Sequence, residues 1–324
     1  MINCIAHSII SPLGVGSQAN LEAVQAGRSG LKIYDHRFAD VEPFCASLFD
    51  EPQDFVPLCV RSVEEAVANL KIERLEDLKI GGAETIFILS TTKGDKLDLI
   101  TPAQAIAEHF DNPNPPIVVS NACTSGVCAQ ITAKRLLEAG LYKHAVVIGC
   151  DIQTRFIVSG FQAFKALSPE PCLPFSEQRK GLNLGEAAAT IIYSTEAPSG
   201  EWTLVAGSIH NDANHLSAPS RTGEGAFRCL TDVLDGEPSD SIGLIGVHGT
   251  ATPYNDAMEQ VAIERAGLQQ VPVSALKPFF GHTMGAAGVV ETIIGAMMLR
   301  KGTFIKMLSG FGGVNAAIKL TVDS

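Results

Sequence analysis

Short apolar runs rich in β-branched residues alternate along the chain with stretches whose apolar positions recur every three or four residues. TIFIL (85–89) precedes PAQAIAEHF, PIVVS (116–120) precedes GVCAQITAKRLLEAG, and HAVVIG follows. Short continuous apolar runs bounded by turn signals read as buried strands, and their alternation with helical patterns reads as βαβ units, hence a parallel sheet covered by helices. AATIIYS (188–194) is a further strand, and the turn signal APSGE after it places a boundary between residues 1–198 and 199–324. The second segment repeats the habit with LIGVHG, VPVSALK, a long apolar helix and a last strand AAIKLTV.

Two of the helical stretches resemble each other. GVCAQITAKRLLEAG (126–140) and GVVETIIGAMMLRKG (288–302) share five identities, each follows a Val-Ser pair, and each closes on a glycine suited to a helix C-terminus. With the shared order of strand, loop and helix, the pattern predicts a duplicated α/β fold. Its two long buried helices face each other near a pseudo-twofold axis.

The composition, with 324 residues, 46% hydrophobic and 18% charged, supplies ample core for one large domain or two packed halves. No apolar run reaches the roughly 18–20 residues of a membrane span. The opening MINCIAHSIISPLG has no basic segment and is interrupted by His7, which argues against a cleaved leader and for a cytoplasmic protein. A net charge of −11 argues against nucleic acid as a partner. The eight cysteines lack the paired spacing of a zinc site, so each is read first as a buried thiol, and neither a metal nor a cofactor is expected.

Cys123 is the exception that invites chemistry. It lies where VVS turns into a helix, with Thr124, Ser125 and Gly126 supplying small side chains. A thiol at a helix N-terminus faces the positive end of the macrodipole, which predicts a lowered pKa, and the free N–H groups there suit an oxyanion. A packing role for the same cysteine stays open on these residues alone. A nucleophile also needs a base or polarising group. His248 in VHGTAT and His282 in FFGHTMGAAG sit at strand or helix ends among small residues, as His109, His144, His210 and His215 do not.

Together ACTSG, HGTATPYND with Glu259, KPFFGHTMGAAG with Glu291, and SGFGGVNAAI resemble the successive blocks of the β-ketoacyl-acyl carrier protein synthases of the elongating, two-histidine type. SPLG, AGRSG and ALSPEPCLPFSEQRKGLNLGEAAA fit the same order. The resemblance implies the thiolase fold, a five-layered αβαβα sandwich of two similar halves, and a decarboxylative condensation on carrier-protein thioesters. By it, Cys123 accepts an acyl group, and His248 and His282 polarise a malonyl thioester whose loss of carbon dioxide yields the attacking carbanion. Hydrogen-bond donors fixed where charge develops in a dry site contribute roughly 3 kcal/mol each.

Further roles follow from the same resemblance. Lys277 and Glu291 match an ion pair that orders the histidine loop, and Phe311 matches a gate whose backbone N–H joins that of Cys123 in an oxyanion hole. Asp256 and Glu259 match structural acids. Arg179, with Lys134 and Arg135, is a weaker match to a carrier-protein docking patch. The strand PIVVS is expected at a subunit interface, in a homodimer or in a heterodimer with another ketosynthase-like subunit.

The chain departs from the family in its shortness before the nucleophile, in HGTAT for HGTGT, NAC for TAC, and in Ser309 where a phenylalanine is frequent. These changes bear on acyl-chain length, tunnel shape and pairing. A thiolase would need a second cysteine near the C-terminus, and none follows Cys229; an initiating synthase would carry asparagine at 282. The remaining alternative is a non-catalytic chain-length partner of another ketosynthase, which intact Cys123, His248 and His282 argue against.

Overall fold

The computed structural model describes residues 1–70 and 80–322. Ten of the described strands form two five-stranded sheets of the same design, and a short strand Gly14–Val15 pairs with the end of the first of these strands. In the first, β1 (Asn3–Ser11), β2 (Thr85–Ser90), β3 (Ile117–Val119), β4 (His144–Asp151) and β5 (Ala187–Ser194) lie in the order β3-β2-β4-β5-β1. β3, β2 and β4 run parallel, and β5 is antiparallel to both β4 and β1. In the second, β6 (Trp202–Asn211), β7 (Ile242–Gly246), β8 (Val273–Ser274), β9 (Gly302–Ser309) and β10 (Val314–Val322) lie in the order β8-β7-β9-β10-β6 with the same senses. A short antiparallel pairing of Asn3 with Thr203 and Cys4 with Trp202 joins the two at one corner.

The helices complete the layers. α1 (Phe55–Ala68) and α2 (Ile100–His109) pack on the outer face of the first sheet through Phe55, Leu58, Val63 and Ile106. α4 (Glu224–Leu234) and α5 (Pro253–Arg265) cover the outer face of the second through Leu230, Val233, Met258 and Ala262. α3 (Ser125–Glu138) and α6 (Ala287–Leu299) lie between the sheets, in the main core with Val127, Ile131, Val289 and Ile293. The result is the αβαβα sandwich expected. β2 and β4 are buried at every position, as parallel strands covered on both faces must be, and this is why TIFILS and HAVVIGCD are nearly unbroken apolar runs. α6 is buried along Ala287–Ala296, so it carries no polar face.

The repeat seen in the sequence has a physical meaning. Gly126 and Gly288, which open the two matched stretches, touch where α3 crosses α6: a Cβ on Gly126 would stand 2.8 Å from Gly288 Cα, and one on Gly288 would stand 2.5 Å from Val127 N. Gln130 stitches the crossing, donating to Gly288 O (3.0 Å) and Thr292 Oγ1 (3.2 Å) and accepting from Tyr193 Oη (2.8 Å). A smaller sheet of Lys32–Tyr34, Phe44–Ser47 and Leu184–Gly185 packs with the helix Arg155–Ala163 in a separate apolar cluster. Among the described residues β3 pairs only with β2, so PIVVS is a sheet edge there, with 116–119 half-buried and Ser120 exposed. Among the described residues no helix is long and apolar enough to cross a membrane.

Gly126→Ala should lower stability by about 2–3 kcal/mol, because the gain in helix propensity is outweighed by backbone overlap. Gly160→Ala, at a helical site where a Cβ meets nothing within 4 Å, should raise it by about 0.5–1 kcal/mol. Urea denaturation of the two variants beside the wild type measures both.

Candidate active site

The turn from β3 into α3 is held by its own small side chains. Ala122 takes a φ of +46°, Ser125 Oγ accepts the Asn121 N–H (2.7 Å) and donates to Ala122 O (2.6 Å), and Thr124 Oγ1 donates to Asn121 O (2.7 Å). This fixes Cys123 ahead of the first helical turn, 6% exposed. The backbone N–H groups of Cys123 and Phe311 lie near enough to its sulfur to favour the thiolate. The next chain segment passes close by, since a Cβ on Gly310 would lie 3.3 Å from Cys123 N.

The expectation of a lowered thiol pKa does not hold. Burial pushes the Cys123 thiol up to about 11, and Lys277 and the two N–H groups offset burial only in part. The helix start was legible in the sequence, whereas the depth at which the turn lies was not.

His282 stands in a loop that only glycine permits. Gly281 has φ +66°, and a Cβ there would lie 2.1 Å from Leu184 O. The loop is sewn to residues 183–185 by His282 N–H to Asn183 O (2.7 Å) and Gly185 N–H to His282 O (3.0 Å). His282 Nε2 is 2.9 Å from Cys123 Sγ. His248 follows β7, where the Glu259 carboxylate accepts the N–H groups of His248 (2.6 Å) and Gly249 (2.7 Å). The two imidazoles meet edge to face at 5.1 Å between centroids. Burial pushes both well below the ordinary histidine pKa, and Lys277 adds to the effect, so both rings are neutral at pH 7.

Behind the histidines lies a buried charge cluster. Lys277 Nζ donates to Glu291 Oε1 (2.9 Å) and to His248 O (2.5 Å), and Lys306 Nζ lies 2.6 Å from Glu291 Oε2. Lys306 also donates to the carbonyls of Val247 (2.8 Å) and Gly246 (3.2 Å). Burial would raise the Glu291 carboxyl, but the two ammonium groups hold it below its usual value. Glu259, buried nearby, is pushed up to about 7 by desolvation against its two backbone donors. Asp256 accepts from the N–H groups of Phe175 (2.7 Å) and Ala251 (3.1 Å), holding the turn after His248.

Sequence reasoning passed over two of the groups here. Lys306 is the one charge within the buried strand GTFIKMLS, a signal that was available. Asp151, at the end of β4, accepts from Thr91 Oγ1 (2.9 Å), Thr92 N–H (3.0 Å), Thr92 Oγ1 (2.8 Å) and Gly285 N–H (2.7 Å), which ties the loop after His282 to the end of β2. An acid closing a strand carries no such message by itself.

A cavity of about 440 Å³ reaches Cys123, His248 and His282. Phe311, 39% exposed, stacks on Phe161 at 5.9 Å beside its mouth, and Ser309 and Leu216 line it further. The basic residues on its wall are Lys165 and Lys180. Lys134 and Arg135 are not brought there: they lie nine and ten positions beyond Ser125 on α3, about 14–15 Å along the axis, and Lys134 pairs with Glu138. Arg179 is folded onto Ser176 O (2.8 Å) and Pro253 O (3.4 Å). Cys123, His248 and His282 have their ligand atoms within 4.8 Å of one another, which raises the question of a metal. The 2.9 Å contact between sulfur and nitrogen is a hydrogen bond, shorter than the about 3.5 Å between two such ligands on one tetrahedral zinc, and two buried ammonium groups stand behind. The geometry favours proton transfer over metal binding.

Comparison with known sequences agrees with this geometry. The N-terminal domain of the beta-ketoacyl synthases matches residues 92–197, and the C-terminal domain of the same family matches residues 203–310. The chain belongs to the beta-ketoacyl synthase family. It is 28% identical to a 3-oxoacyl-acyl-carrier-protein synthase 2 of Vibrio cholerae over 90% of this chain and 84% of that one. It is 31% identical to the synthase of the same name from Rhizobium meliloti over 68% of this chain and 60% of that one. One chain of the solved complex of a ketosynthase with its chain length factor from Xenorhabdus doucetiae superposes with a TM-score of 0.86 at 24% identity, covering 99% of this chain and 98% of that one.

With a thiol near 11 and a base in contact, Cys123 should react through His282 rather than as a standing thiolate. Iodoacetamide alkylation at pH 7.5, followed by mass spectrometry of the Cys123 peptide, should slow about ten-fold or more in His282→Ala. The wild type should show no thiolate absorbance at 240 nm titrating between pH 5 and 8.

Proposed function

We propose that the protein is a decarboxylating ketosynthase that joins an acyl group held on Cys123 to a malonyl unit on an acyl carrier protein. The observation that carries this reading is the 2.9 Å contact between Cys123 Sγ and His282 Nε2, with His248 alongside and the backbone N–H groups of Cys123 and Phe311 nearby. In the first half-reaction the thiol gives its proton to His282 as sulfur attacks the acyl thioester. The N–H groups of Cys123 and Phe311 hold the oxyanion, and the carrier thiol leaves with the proton.

In the second half-reaction both imidazoles are still neutral, the His282 proton having moved from Nδ1 to the Nε2 that faces the site, and both donate to the malonyl thioester oxygen. The bond to the carboxylate breaks, carbon dioxide leaves, and the enolate carbon attacks the acyl group on Cys123. Collapse of the tetrahedral adduct releases the β-ketoacyl thioester and returns a Cys123 thiolate, which takes up one proton from solvent to restore the thiol that burial favours. Lys277 and Glu291 hold the His248 carbonyl and the loop in place.

The substrates are thus acyl and malonyl thioesters of a carrier protein, in a fatty acid, polyketide or polyene pathway. Residues 1–198 supply the nucleophile and residues 199–324 both histidines. The unpaired edge of β3 is the surface we assign to a dimer, with a second copy or with a ketosynthase-like subunit such as the chain length factor that accompanies the Xenorhabdus ketosynthase. Eight free cysteines fit a reducing cytoplasm. A purely chain-length-setting role is the weaker reading, because the nucleophile, both histidines and the oxyanion donors are assembled together. Carrier docking by Arg179, Lys134 and Arg135 gives way to Lys165 and Lys180, which line the cavity.

Malonyl-carrier-protein decarboxylation, measured with and without iodoacetamide, tests the assignment. Cys123→Ala should abolish condensation while decarboxylation persists, and His282→Ala should lose both by at least about 100-fold. Wild-type protein that neither decarboxylates nor alkylates at Cys123 overturns it.

A further inference from the structure

Two ammonium groups flank the single carboxylate of Glu291, which leaves the buried cluster of Lys277, Glu291 and Lys306 one positive charge in excess. One lysine would have been enough to neutralise the glutamate. The second, Lys306, lies on β9, fully buried, and grips the carbonyls of Gly246 and Val247, the two residues before His248. Lys277 grips the His248 carbonyl itself. Resting on the ketosynthase reading for its catalytic consequence, we propose that Lys306 is a positioning residue that clamps the end of β7 and supplies the charge excess keeping His248 and His282 neutral.

Neutrality matters twice in this site. A protonated His282 has no lone pair to receive the Cys123 proton, and burial of an imidazolium beside a lysine is unfavourable. The groups facing the two rings are few and come from every surrounding element: Lys277, Glu291 on α6, Lys306 on β9, Glu259 and Asp256 on α5, the Cys123 thiol, and Asp151 on β4 behind it. Of these Glu259 is pushed towards its neutral form by desolvation, so the lysines dominate the local field, and both of them weigh on each histidine in the same direction.

The charge count makes the two roles separable. Lys306→Gln deletes the charge and keeps a donor for the β7 carbonyls, and Lys306→Met deletes both; each takes the cluster from one positive charge to none. Lys306→Gln combined with Glu291→Gln restores the single positive charge of Lys277 and replaces a buried ion pair by two neutral amides. Full-length protein with ¹³C-labelled histidine, its signals assigned with His248→Asn and His282→Asn, is titrated by NMR from pH 8 to 4.5. Both imidazoles should titrate well below the ordinary histidine range in the wild type. In whichever single variant folds, their midpoints should rise by about 1 pH unit, and in the double variant they should return to the wild-type position. Unmoved midpoints in a folded single variant, or a double variant that behaves like the single one, overturn the proposal.

Malonyl-thioester decarboxylation adds the catalytic readout: the acid limb of the kcat–pH profile should move up by about 1 pH unit in Lys306→Gln, with the profile at pH 8.5 unaffected by that shift. A wild-type protein without decarboxylase activity defeats the ketosynthase reading and leaves the titration to decide the role of Lys306.

Discussion

The close crossing of α3 and α6 sets the geometry on which the site depends. Gly126 lies three residues after Cys123 and Gly288 six after His282, so the point where the two backbones touch is also the point from which nucleophile and base are measured. No side chain larger than hydrogen fits there. Widening the crossing by the bulk of one methyl group separates the N-terminal ends of both helices, and with them a contact of 2.9 Å that proton transfer needs. Gln130, fully engaged with Gly288, Thr292 and Tyr193, locks the same crossing by hydrogen bonds that have no solvent to replace them.

The second constraint is electrostatic. Desolvation is the largest influence driving the cysteine towards its thiol and both histidines towards the neutral base, and the buried ammonium groups push the histidines the same way; these are the states the first half-reaction starts from. The site therefore needs no standing thiolate, only a base in contact and a place for the oxyanion. What desolvation cannot supply is order, and a buried ion cluster gives that at a cost in stability, since removing one partner strands a charge. Lys277, Glu291 and Lys306 are all buried, and the two ammonium groups hold the carbonyls of three consecutive residues ending at His248.

Much of this was legible in the sequence because it is written in local patterns. β2 and β4 show as unbroken apolar runs since both faces are covered, and the matched glycines betray the crossing because nothing else fits it. Cys123, His248 and His282 stand out through the small residues that let a substrate approach. The features that were not legible depend on placement in three dimensions. The thiol pKa turns on burial depth, which a helix start does not report. Lys306 points into the cluster from a strand whose period allows either face. Nor did the sequence say where Lys134 and Arg135 lie relative to the cavity: α3 runs away from Cys123, so residues on its later turns are carried from it by the helix rise itself.

The duplication also explains how the chemistry is divided. Corresponding strands of the two sheets end on the same side, and loops at the carboxyl ends of parallel strands are where α/β folds place their sites. β3 and β8 occupy the same slot in their sheets; the loop after one carries Cys123 and the loop after the other leads to His282. β2 and β7 are likewise equivalent, yet β7 leads into His248 while β2 leads into Thr91 and Thr92, bound to Asp151. Asp151 then reaches across to the Gly285 N–H, three residues past His282. One copy of the slot has taken up the reaction and its counterpart braces the loop that the reaction uses, so the two halves work as one site only while the pseudo-twofold crossing holds them in register.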